Sequence, residues 1–182
     1  MRISEVPAAG RQRGGHGKSR AAVNALMGTG LIGVVSGLRS QLGVAAVALT
    51  TDRHRAAARP GALLAGRRAG AVAATAAAGE LVGDKLPNTP SRLGPAGLLP
   101  RIVLGAFAAT ALADRAGRGR RTAIPLPAAA AIGAAAAFGG AHAGARWRRA
   151  VADRGLPDWP AALAEDAVAA ALAWAACALL PG

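Results

Sequence analysis

The sequence predicts an all-α fold, a polytopic membrane bundle of four to six segments, and three observations predict it. Five apolar stretches recur along 182 residues, with basic loops between most of them. Alanine, glycine and leucine number 52, 25 and 20, more than half of the chain. The β-branched aliphatics are only 11 Val and 5 Ile, little material for a sheet. A length of 182 residues corresponds to one domain. An apolar fraction of 53% and a mean hydropathy of +0.32 argue against a disordered chain. One cysteine excludes a disulfide framework and any cysteine-based zinc site.

Residues 1–20 are basic, polar and glycine-rich and read as a disordered tail, leaving 21–182 as the membrane domain. The first apolar stretch, Ala21 to Thr50, is interrupted at Ser36-Gly37-Leu38-Arg39-Ser40-Gln41. The second runs from Ala69 to Gly83 and ends in Asp84-Lys85-Leu86-Pro87. A turn-rich segment, Asn88-Thr89-Pro90-Ser91-Arg92, follows, where two prolines stop a helix. The third, Ala96 to Ala113, contains Pro100 and Arg101. The fourth, Thr122 to Ala145, carries Pro125 and Pro127 in its first turns, where proline is best tolerated. As a helix it reaches about 36 Å, enough for a hydrocarbon core. Trp147 and Trp159 bracket the next loop, Arg146 to Pro160, as rings at a headgroup boundary do. The fifth stretch is Ala161 to Leu180. A soluble alanine-rich bundle would need polar outer faces, and Ala128 to Ala137 has no polar residue at all. A signal peptide fits loosely at Ala46-Val47-Ala48, but such triplets are common in this composition and four apolar stretches follow.

A net charge of +13 invites a nucleic-acid reading. The cations instead lie in runs between apolar stretches, the layout of loops facing anionic headgroups, which excludes that reading and makes membrane lipids the expected partner. If the first stretch crosses once, cations divide evenly between the two sides. If it dips in and returns at Gly37–Arg39, the tail, Arg53–Arg68 and Arg115–Arg121 share one side with fourteen cations against seven. A broken or re-entrant first segment is therefore expected.

Familiar chemical motifs fail on context. Gly28-x-Gly30-x-x-Gly33 has the dinucleotide spacing but no preceding β-branched strand, and glycines in an apolar helix serve close helix approach. Gly17-Lys18-Ser19 lacks the first glycine of a P-loop, which would fall at Gln12. His16, His54 and His142 show no ligand spacing, so no metal or cofactor is expected. Cys177 reads as a small packing residue. No nucleophile, base and metal set appears, which weighs against an enzyme.

Ionisable residues at membrane depth carry the signal, because a buried charge costs about 2.5–3.5 kcal/mol at a helix centre and persists for a partner or a pathway. Glu80 and Asp84 share one helix face, and Arg39 lies beside Ser36, Gly37 and Ser40 in the interrupted stretch. Glu165 and Asp166 stand near the start of the last stretch. These residues form the candidate intramembrane polar site, with Arg39 expected to meet Glu80 and Asp84. The plainer alternative makes Asp84, Lys85 and Arg92 headgroup anchors, and Glu165 and Asp166 first-turn acids. The two halves also share a coarse order of glycine-rich span, basic loop and carboxylate-bearing span, the outline of an inverted repeat.

Ser36-Gly37-Leu38-Arg39-Ser40, Glu80-x-x-x-Asp84-Lys85-x-Pro87 running into Thr89-Pro90-Ser91-Arg92, and Leu156-Pro157-Asp158 followed by Glu165-Asp166 resemble the bacterial membrane proteins of domain-of-unknown-function family 4126. The resemblance spans roughly Ala25 to Leu180 and is most specific from Glu80 to Arg92. It implies a multi-pass protein of the bacterial inner membrane with unassigned activity. The functions open at this stage are passage of a small solute, ion or lipid headgroup, and a non-transporting scaffold that packs on a second copy or a membrane partner protein.

Overall fold

A computed structural model describes residues 12–52, 61–83, 93–117 and 123–180. Among them every regular element is helical: α1 Gln12–Leu38, α2 Ser40–Thr50, α3 Gly61–Leu64, α4 Arg67–Gly83, α5 Pro95–Gly117, α6 Leu126–Ala152 and α7 Asp158–Leu179. Four helices are long and apolar enough to cross a membrane, within α1, α5, α6 and α7, which makes this a multi-pass membrane protein.

The first apolar stretch is broken, as its sequence predicts. Arg39 has extended backbone, φ −137° and ψ 105°, and separates α1 from α2. The chain then turns back, because Gly43 of α2 packs on the Ser36 side chain and the Ile32 carbonyl of α1. Eleven residues of α2 cover about 16 Å and return from the break toward Arg115, which donates to the Thr50 and Thr51 hydroxyls, so α2 is a short returning helix. It is shielded from lipid by α4 and α5, as broken backbone at membrane depth must be.

Small residues set the spacing of the central helices. A Cβ on Gly33 would lie 2.6 Å from the Gly133 carbonyl oxygen, and one on Gly140 2.6 Å from that of Val34, so α1 and α6 touch backbone to backbone. Gly105 of α5 approaches the same Gly133 carbonyl and also the Ser36 Cβ of α1, so α1, α5 and α6 meet at Gly133. Such contacts supply packing where lipid offers no hydrophobic drive between helices. Gly28 meets Leu180 at 2.9 Å, whereas Gly30 meets nothing.

Several boundaries differ from the sequence expectation. α1 begins at Gln12, ahead of the apolar stretch that starts at Ala21. The fourth stretch continues to Ala152, because Arg146, Arg148 and Arg149 favour helix as much as any loop. The loop shrinks to residues 153–157, and Trp147 and Trp159 lie inside α6 and α7. The turn needs Gly155, whose φ of +65° is left-handed.

All helix contacts agree on one arrangement. α1, α4 and α6 run toward the end marked by Arg39 and Arg148, and α2, α5 and α7 run toward the end marked by Arg115. The first three long elements and the last three therefore have opposite senses.

Candidate functional site

The polar residues at the break are built around an exposed helix terminus. A helix begins with unsatisfied N–H groups, and at Ser40 the chain supplies no side-chain cap of its own. Glu80, near the end of α4, takes that role. Its Oε1 accepts from the Ser40 N–H at 2.7 Å and the Ser40 hydroxyl at 2.7 Å, and its Oε2 accepts from the Gln41 N–H at 2.8 Å. The Arg101 guanidinium of α5 adds a longer contact of 3.5 Å to Oε1 and donates to the Gly97 carbonyl at 2.7 Å. A carboxylate at a helix N-terminus also answers the positive end of the dipole.

Arg39 is 2% exposed, and its Nε donates to Asp166 Oδ1 of α7 at 2.5 Å. The next residue, Glu165, is 4% exposed and accepts from Arg148 Nε of α6 at 2.8 Å. Arg148 Nη1 also donates to both Asp158 oxygens at 2.8 Å. One guanidinium thus bridges a buried and an exposed carboxylate. These pairs join the break, α6 and the first three turns of α7.

A cavity of about 510 Å³ opens beside these groups, lined by Arg39, Leu81, Arg148, Asp158, Trp159, Ala162 and Leu163. A second, almost wholly apolar space of about 440 Å³ lies on the other flank of α7 against Trp147, Val34 and Val168. Among the described residues no group of three potential metal ligands occurs.

The structure brings together Arg39, Ser40, Glu80, Glu165 and Asp166 of the expected set. The break faces the end of α4 through Glu80 and Ser40, while the acid bonded to the Arg39 Nε is Asp166 of α7. Ser36 stays apart: its hydroxyl is fully buried against Gly43 and has no hydrogen-bond partner among the described residues. Asp84, Lys85, Pro87, Thr89, Pro90, Ser91 and Arg92 lie outside the described residues. Glu165 and Asp166 are two turns inside α7, whose first-turn acid is Asp158.

Sequence reasoning missed Arg101, Arg148, Asp158 and Arg115. Arg148 stood in a run of arginines whose members looked alike. Arg115 is fully buried at the opposite end, where it donates to the Thr50 and Thr51 hydroxyls and to the Cys177 and Leu180 carbonyls. It closes the carbonyl-rich end of α7, a natural place for a cation. Asp114 beside it accepts from the Gly61 N–H at 3.2 Å. The adjacent Asp114-Arg115 at the end of an apolar stretch was the available signal. No family model, curated protein or solved structure matches the chain.

Proposed function

We propose that this multi-pass protein resides in the bacterial inner membrane and passes a small solute, ion or lipid headgroup through its charged site. The observation that carries the reading is the Arg39 break: an interrupted helix whose short returning arm is held by carboxylates from α4 and α7, beside a cavity that Arg39 itself lines. Interrupted helices with termini near charged groups are the means by which membrane proteins handle ions away from water. The bacterial setting rests on the sequence resemblance to the domain-of-unknown-function family 4126 alone, which no family-model match accompanies.

A second reading, a scaffold without transport, draws on a specific fact: the buried charges already pair across helices, Arg39 with Asp166 and Arg148 with Glu165. Glu80→Gln and Arg39→Ala in liposomes separate the two. Lost solute flux with intact folding supports transport. Loss of folding alone, or flux unchanged from empty liposomes in the unaltered protein, supports the scaffold.

A further inference from the structure

The cavity beside Arg39 has an unusual lining for its place. Arg39 reaches it from the break and Arg148 from α6, and the remaining wall is largely Leu81, Trp159 and Leu163. Each guanidinium is met by a carboxylate of α7, Asp166 for Arg39 and Glu165 for Arg148. Glu165 is buried, and Asp166 is only 23% exposed at its side chain. Asp158 is different. It lies in the first turn of α7, its side chain is 73% exposed, and it holds Arg148 through a single nitrogen.

The geometry points to an anion site in this cavity, in which Asp158 occupies on Arg148 the position that an external phosphate or carboxylate group takes when it binds. Asp158 shows that Arg148 accepts a carboxylate at this position, and once displaced its exposed side chain can turn into solvent, where salt screens its repulsion of the ligand. An exposed pair is also the one most easily exchanged, since such pairs contribute little stability and are screened by salt. Guanidinium is the group best matched to phosphate and carboxylate oxygens. Trp159, Leu81 and Leu163 give the ligand an apolar flank, so the fitting chemistry is an anionic group on a partly apolar body. A lipid headgroup and a free phosphate compound share that chemistry. The inference rests on the proposed function only in treating the cavity as a ligand site; it does not require passage across the membrane.

The test uses the full chain in detergent micelles, with Trp147→Phe and Trp174→Phe so that Trp159 reports binding. One arm titrates inorganic phosphate, and the other titrates phosphatidylglycerol into micelles of a neutral detergent. Binding is expected in at least one arm, and the arm that responds identifies the source as free anion or headgroup. Asp158→Asn should tighten that binding about two- to fivefold, the worth of an exposed competing pair. Arg148→Gln should weaken it about tenfold or more. Should Arg148→Gln lose its helical circular dichroism, Asp158→Asn decides alone, because Asp158 is exposed at a helix start. No binding in either arm, or binding that Asp158→Asn leaves unchanged or weakens, overturns the inference. Absence of liposome flux with this binding pattern retained would remove transport and leave the anion site standing.

Discussion

Arg39 and Asp166 are 127 positions apart in the chain, yet the Nε of one lies 2.5 Å from the Oδ1 of the other. The pair fastens the break between α1 and α2 to α7. Asp166→Asn removes a charged acceptor from the buried Arg39 guanidinium and should cost about 1.5–3 kcal/mol. Thermal unfolding in detergent measures it. The double variant Asp166→Asn with Arg39→Met should recover part of the loss, and equal stability of Asp166→Asn and the unaltered protein would show that the pair does not hold the break.

Glu80 is expected to behave as an N-cap supplied by another helix. Glu80→Ala should lose about 1–2 kcal/mol, the range of cap deletions, while Glu80→Gln, which keeps an acceptor oxygen, should lose less. Hydrogen exchange at the Ser40 and Gln41 amides should quicken in Glu80→Ala before exchange elsewhere in α2. Uniform acceleration across α2 would point instead to loss of the α2–α4 packing.

Gly133 and Gly139 lie six residues apart on α6 and should respond oppositely to one methyl group. A Cβ on Gly133 would fall 2.5 Å from the Gly105 carbonyl oxygen and overlap the Ala109 methyl, both on α5. Gly133→Ala should therefore push α5 from α6 and cost about 1–3 kcal/mol. Gly139 has no neighbour within 4 Å, so Gly139→Ala should be neutral or stabilise by about 0.5–1 kcal/mol. Paired melting curves in the same detergent provide the comparison.

Arg115 has a structural assignment at the other end of the bundle. Arg115→Ala would leave the Cys177 and Leu180 carbonyls without this donor in a buried setting and should destabilise by about 3 kcal/mol or more. Proteolysis should then release the C-terminal end of α7 first. An unchanged digestion pattern would place the closure of α7 elsewhere.

The apolar stretches, the paucity of β-branched residues and the Arg39 interruption were sufficient in the sequence to determine an all-helical, multi-pass bundle with a broken first segment. Hydrophobicity is a local property: eighteen or more apolar residues select a membrane helix whatever they later touch. The same local reasoning marked Arg39, Glu80, Glu165 and Asp166, because each is costly where it stands. Which of them meet was decided only by tertiary structure. Asp166 reaches Arg39, and Glu80 caps α2, because α4 and α7 pack beside a break whose own helix is fixed against α6 by close contacts at Gly33 and Gly140. Arg148 and Arg115 were indistinguishable from neighbouring arginines, since a run of cations reads the same whether it faces headgroups or buried acceptors. Burial alone separates them: Arg115 is fully enclosed, Arg148 is half-buried over Glu165, and Arg146 and Arg149 are exposed. That difference arises from the register in which α5, α6 and α7 pack, a property no single segment contains.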